Sequence, residues 1–471
     1  MIAASVEEVA RAAAGTVVWP GNKPRRRLRK VSTDTRTLAG GELFIALRGR
    51  RHDAHDFLEE ALRRGAAALL VSRIEPSMLD LARERGAAVV RVRGTMEALR
   101  RLAAWQRELS AARVIGITGS TGKTLTKDFT ASALSRAGEV VSARGSFNNE
   151  IGVPLTILEA GPATDFLVLE MGARGRGHIR HLCETARPEV GVITNVGVAH
   201  LRYFRTRDNL ARAKGELLQS LPRGGRAVIN GDDDYAGLLR EMSPCPVVEY
   251  GFSPRCRFRA REVEVDDQGR ATFVLSEKGG GNARVRLPLP GRHNVENALA
   301  AAAVGRIMGV DMTTIVEGLE KAKTTGWRME MITRPDEITI INDAYNANPV
   351  SMRSALMALG DISRDRRAIA VLGDMGELGP VSEKAHEELG RMAVEYGTDI
   401  LITVGKKARR AAQAACERGL PRGSVFATDG VDRAAEILRA IMEPGDVVLI
   451  KGSRFLGLER LAELVARHRV A

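Results

Sequence analysis

Val114-Ile-Gly-Ile-Thr-Gly-Ser-Thr-Gly-Lys-Thr124 decides how this chain is read. Val114 to Ile117 is an apolar run that predicts a short buried strand, and Lys123-Thr124 opens a segment with helical character. Between them lies a turn rich in glycine. A strand, a glycine loop and a helix N-terminus together form a phosphate cradle, because backbone N–H groups converge there and the helix dipole adds about half a positive charge. Thr118, Gly119, Ser120, Thr121 and Gly122 supply the loop. Lys123 would reach the β- and γ-phosphates of ATP, and the Thr124 hydroxyl would ligate Mg2+. The glycines fall at 116, 119 and 122, and Ile117 occupies the place where the usual phosphate loop has its first glycine.

Downstream, Phe129 to Ala137 continues the helix and Val140-Val141 starts another strand. Asn148 and Asn149 lie in the loop before Ile151-Gly-Val-Pro-Leu-Thr156, where they could orient a polar substrate or bond the loop's own backbone. Phe166 to Leu169 is continuously apolar, as a strand buried on both faces must be. Glu170 therefore falls at the carboxyl end of a central strand, the edge where open α/β sheets bind ligands. A carboxylate there is a candidate Mg2+ ligand. Val190 to Ile193 repeats the pattern and leads to His200, followed by Lys214 in a helical segment. From about 245 to 289 the runs alternate, with Gly279-Gly-Gly281 between two of them, which predicts an antiparallel appendage. Asn294 and Asn297 share a helix face.

Composition sets the outer limits. A chain of 471 residues suggests about three domains, each able to bury its own core. Apolar residues make up 44% and charged residues 27%, ordinary for a soluble globular protein. No apolar run is long enough to span a bilayer, and Glu7 and Glu8 stand where a signal peptide would be basic, so a cytoplasmic location without membrane insertion is expected. Cys183, Cys245, Cys256 and Cys416 show no metal or CxxC spacing and read as reduced thiols. The net charge of +13 raises a nucleic-acid partner. Against it, the basic residues are dispersed apart from Lys23 to Lys30 and Lys406 to Arg410, and aromatics are only 4%, too few for base stacking. Anionic substrates explain part of the charge equally well, so no nucleic acid is expected.

The two ends of the chain follow the same α/β alternation. Val6 to Ala13 and Phe57 to Arg64 predict helices; Glu42 to Ala46, Ala66 to Val71 and Ala88 to Val92 predict strands. Thr33, Thr35 and Arg36 sit in a polar turn suited to a phosphorylated sugar or nucleotide, or simply to a cap. Near Lys321 to Gly326 a linker leads to the last unit. Its first strand, Ile338 to Ile341, ends in Asn342-Asp-Ala-Tyr-Asn-Ala-Asn-Pro349, and three more strands follow at Ala368 to Leu372, Ile400 to Val404 and Val447 to Ile450. The class is therefore α/β in three domains. Residues 1–110 form a small α/β domain, 111–325 a central P-loop mononucleotide-binding domain with a mostly parallel sheet, and 326–471 a Rossmann-like α/β domain.

Gly116-Ile-Thr-Gly-Ser-Thr-Gly-Lys-Thr124 resembles the phosphate loop of the Mur ligases, the ATP-dependent amide ligases of peptidoglycan precursor synthesis. Asn148-Asn-Glu-Ile-Gly-Val-Pro-Leu-Thr156, Ile193-Thr-Asn-Val-Gly-Val-Ala-His-Leu201, Asp343-Ala-Tyr-Asn-Ala-Asn-Pro349, Leu372-Gly-Asp-Met375 and Lys451-Gly-Ser-Arg454 carry the resemblance nearly end to end. These motifs are most similar to those of the members that add D-Ala-D-Ala to UDP-MurNAc-tripeptide. Three places depart from the family pattern: Asp53-Ala-His-Asp-Phe57, Gly177-His-Ile179 and Phe204-Arg-Thr206.

The resemblance implies that Lys123, Glu170, His200 and Lys214 are catalytic, and that Thr124, Glu170, His200 and a carbamylated Lys214 hold a pair of Mg2+ ions. It implies ATP contacts from Asn294, Asn297, Arg328 and Asp343 besides the loop. Substrate contacts are implied for Thr33, Thr35 and Arg36 on the uridine nucleotide, and for Asn148, Asn149, Asn346 and Asn348. The first domain would bind the UDP-sugar, the second ATP, and the third would close on the nucleotide and bind D-Ala-D-Ala, in a monomer. The rival readings are a tripeptide-forming Mur ligase, a folylpolyglutamate synthetase-like enzyme and, in another class, a P-loop ATPase acting on nucleic acid.

Overall fold

Continuously apolar runs become strands buried on both faces, and they assemble three separate sheets. The computed structural model describes residues 1, 3–23, 26–49, 52–197 and 201–467, so His200 lies outside the described residues. The first sheet has five strands in the order Thr16–Trp19, Ala88–Arg91, Ala68–Val71, Leu43–Ile45 and Val31–Ser32. All neighbours are parallel except Thr16–Trp19, which runs antiparallel on the edge.

The central sheet has nine strands. Arg113–Thr118 lies between Phe166–Glu170 and Val190–Ile193, all three parallel, so their carboxyl ends share one edge. Val140–Ser142 closes one side; Arg226–Asn230 and Val247–Gly251 extend the other in parallel. The expected antiparallel appendage is not separate. Phe258–Val265 pairs in parallel with Val247–Gly251, then Arg270–Glu277 and Asn282–Pro290 add antiparallel strands, so the alternating segment continues the central sheet. Its inward residues Phe258, Phe273, Leu275, Val285 and Leu287 pack on the Ala-rich helix Asn294–Ile307, which supplies the apolar partner a two-faced hairpin needs. The last sheet has six strands, five of them parallel, with Glu330–Thr333 antiparallel on one edge.

The first unit keeps one core of its own, around Phe44, Leu62 and Leu69, and shares a second with the central unit. Helix Thr95–Leu109 buries Ala98, Leu99, Leu102 and Ala103 in a cluster that runs without a break into Val153, Ile157, Ile179 and Leu182 of the central unit. Gln106 Nε2 donates to Ala160 O at 2.7 Å and Arg107 Nε to Ala186 O at 3.1 Å, fixing the same helix to the ends of two central helices. A small sheet has too little apolar area to cover both its faces, and the shared helix makes up the difference.

In the last unit, helices Ser382–Glu395 and Arg409–Glu417 approach so closely that a Cβ on Gly390 would collide with the carbonyl of Ala411. Gly390→Ala is expected to push these helices apart and lower stability by about 1–3 kcal/mol, read as a drop in the denaturant midpoint with an unchanged m-value.

Candidate active site

The phosphate loop is held in shape by the strand beside it. Thr194 N donates to Thr118 O at 2.9 Å, and Ser120 N donates to Asn195 O at 3.0 Å. Asn195 Oδ1 accepts from both Thr121 N and Thr121 Oγ1 at 3.1 Å, and Thr194 Oγ1 donates to Thr121 O at 2.5 Å. Ser120 Oγ accepts from Gly197 N at 2.9 Å. This strap passes so near Gly119 that any Cβ there would strike Thr194 Oγ1. Gly122 has φ of 77°, the left-handed region, and a side chain on it would strike Asn297 Oδ1. Both glycines are thus fixed by geometry. The strap residues Thr194 and Asn195 were not singled out from sequence; the signal available was their place at the end of a buried strand adjoining the loop.

Glu170 ends its strand 1% exposed, with both oxygens engaged. Thr124 Oγ1 donates to Oε2 at 2.6 Å, and Asn148 Nδ2 donates to Oε1 at 2.7 Å. Arg328, from the segment entering the last unit, donates through Nη2 to Thr124 Oγ1 at 2.7 Å. Its guanidinium lies 4.1 Å from the ring centroid of Tyr345, whose hydroxyl bonds Ser146. The central and last units therefore meet on the Thr124 hydroxyl.

Lys123 stands near this carboxylate, and Lys214 near Lys123. Lys123 Nζ folds back to Gly119 O at 2.8 Å; burial lowers its pKa, Glu170 opposes the shift and Arg328 adds to it. Lys214 is 3% exposed, and among the described residues no carboxylate pairs with it. Burial pushes its pKa well below the usual lysine range, and the Lys123 charge pushes the same way. Both effects disfavour the charged form of Lys214.

The remaining residues singled out from sequence divide. Asn294 and Asn297 are buried under the loop: Asn297 Oδ1 accepts from Thr126 Oγ1 at 3.1 Å, Asn297 Nδ2 donates to Asn294 Oδ1 at 3.0 Å, and Asn294 Nδ2 donates to Pro290 O at 2.8 Å. Asp343 accepts from the buried Lys451 Nζ at 2.5 Å, and that amine also donates to Asn346 O at 3.0 Å. Asn149 Oδ1 accepts from the Ile151 and Gly152 amides in the turn leading into helix Gly152–Glu159, and Asn348 caps its helix in a capping box with Ser351. Thr33 and Thr35 lie half-buried in the first unit, and Arg36 is exposed and bidentate to Asp34. Thr118 is fully buried, with a hydroxyl that has no partner among the described residues.

Three family models match in chain order: Mur ligase family, catalytic domain, over residues 27–107; Mur ligase middle domain, over 117–305; and Mur ligase, glutamate ligase domain, over 327–454. The chain belongs to the Mur ligase family of ATP-dependent ligases. It is 38% identical, over 98% of both chains, to the UDP-N-acetylmuramoyl-tripeptide--D-alanyl-D-alanine ligase of Mycobacterium tuberculosis H37Rv. Among solved structures it superposes on MurF of Acinetobacter baumannii with a TM-score of 0.86, at 32% identity and 99% coverage of both chains. A MurF ligase of Thermotoga maritima in complex with ADP gives 0.76 at 28% identity, covering 93% of this chain and 97% of that one.

His293, just before the first turn of helix Asn294–Ile307, was not singled out from sequence. Burial lowers its pKa to about 4 from 6.5; Asp343 opposes this and Lys451 reinforces it. The folded state thus binds fewer protons than the unfolded one between those values, so His293 costs stability as pH falls from 6.5 toward 4. His293→Gln is expected to flatten the loss of melting temperature across that window, with parallel melting curves at each pH as the measurement.

Proposed function

We propose that this Mur ligase joins D-alanyl-D-alanine to the terminal carboxylate of UDP-N-acetylmuramoyl-tripeptide with consumption of ATP, in the cytoplasm. The observation that carries this reading is a phosphate loop whose Thr124 hydroxyl is bonded to the buried Glu170, in a chain similar over nearly its full length to ligases named for that reaction.

A free carboxylate is a poor acyl donor, so the tripeptide carboxylate first takes the γ-phosphoryl group as an acyl phosphate, releasing ADP. The D-Ala-D-Ala amine then attacks the acyl carbon, a tetrahedral intermediate collapses, and phosphate leaves. The chain's contribution is positioning and neutralisation of charge. The loop amides orient the transferring group. Lys123, freed from Gly119 O, would lie against its oxygens, and Arg328 brings a further cation from the last unit. No serine or cysteine nucleophile is required.

The donor set fits Mg2+: Thr124 Oγ1 and Glu170 Oε2 are hard oxygen ligands 2.6 Å apart at the carboxyl edge of the sheet. Thr124 and Glu170 would hold such an ion, and it would supply neutralisation of phosphate charge. Lys214 fits carbamylation, since a buried neutral amine is the form that adds CO2 and the product is an oxygen donor.

Lys123→Ala should abolish ADP release in an assay with UDP-MurNAc-tripeptide and D-Ala-D-Ala while leaving the melting temperature near wild type; near-normal turnover would remove the assignment. Lys214→Ala should be inactive and recover part of its turnover with added short-chain carboxylates. Full activity without any additive would exclude the carbamate.

A further inference from the structure

A groove of about 520 Å³ lies between helices His178–Ala186, Arg207–Gln219 and Ala236–Met242, within the range of small-molecule sites. Its lining is Arg176, Gly177, Arg180, Arg212, Glu216, Gln219 and Met242, none of which belongs to the phosphate loop or the Glu170 network. Arg212, Glu216 and Gln219 follow the i, i+4, i+7 spacing of one helix face, whereas Lys214 lies two positions from its neighbours there and so faces the opposite side.

Three features set the groove apart. Arg176, Arg180 and Arg212 are exposed, and among the described residues none of their side chains has a hydrogen bond or an ion pair. Next, Arg176 precedes and Arg180 lies in the first turn of helix His178–Ala186, which carries no acid of its own in that turn. Finally, the one carboxylate in the lining is already used. Glu216, 5% exposed, accepts from Gly177 N at 2.6 Å and from Arg180 N at 3.2 Å, which satisfies the helix end and leaves the guanidiniums to something else.

We infer that this groove binds a small anion carrying clustered phosphate oxygens, held by Arg176, Arg180 and Arg212 with Gln219 as a neutral donor. Guanidinium forks match phosphate oxygens two at a time, which suits them to such a ligand better than to a lone carboxylate. The shared chemistry could come from a soluble polyphosphate or from a phospholipid headgroup.

The test is calorimetric titration of inorganic tripolyphosphate into the full chain saturated with ADP, so that the phosphate loop is filled. A parallel arm co-sediments the protein with phosphatidylcholine vesicles, with and without phosphatidylglycerol. The expected result is a binding event that weakens about tenfold or more in the Arg180→Gln, Arg212→Gln double variant, with its melting temperature and ligation turnover unchanged. Vesicle binding that requires phosphatidylglycerol and is lost in the double variant, without tripolyphosphate binding, assigns the site to a headgroup. No binding in either arm, or equal binding by wild type and variant, overturns the inference. The binding readout does not use ligation, so its outcome is independent of the proposed reaction.

Discussion

A carboxylate buried at the end of a strand must be fully hydrogen-bonded or it destabilises the fold, and Glu170 meets that demand through two sequence-distant partners. Asn148 holds one oxygen and Thr124 the other, so the loop after Val140–Ser142 and the first turn of the phosphate-loop helix are tied to one acid. Arg328 then joins the Thr124 hydroxyl from outside. Breaking any member leaves a buried group short of a partner, at a cost of about 1–3 kcal/mol or more. The same small network thus secures the sheet edge, shapes the candidate metal position and brings in the last unit.

Beside that acid the two lysines contrast. Burial disfavours the charge of both, yet Lys123 donates to the Gly119 carbonyl and has Glu170 to oppose the shift, whereas among the described residues no carboxylate pairs with Lys214 and the Lys123 charge adds to its shift. Residue type alone makes them alike; their neighbours make them different.

Much of this was legible in sequence because buried parallel strands are continuously apolar: Val114 to Ile117, Phe166 to Leu169, Val190 to Ile193 and Val447 to Ile450 all lie in strands. Edge strands were harder. Thr16–Trp19, Glu330–Thr333 and Val425–Thr428 are only partly buried, so their composition carries no such run. The Asn195 strap and His293 escaped notice because their significance is a contact, with Thr121 in one case and a neighbouring unit in the other. Asn149 and Asn348, polar loop residues in the sequence, also serve the backbone locally: Asn149 accepts from the amides leading into a helix, and Asn348 caps one.

The helix Thr95–Leu109 gives the chain an unequal mechanics. Because its apolar face is sunk in a cluster common to the first and central units, those two are joined by core packing. The last unit meets the central one through polar and aromatic contacts that include Arg328 on Thr124 and Tyr345 on Ser146. Hydrogen bonds of that kind exchange with water at little net cost, whereas separating a packed core does not. The joint that carries Arg328 to the phosphate loop thus rests on polar contacts, whereas the boundary near residue 110 is spanned by a common core.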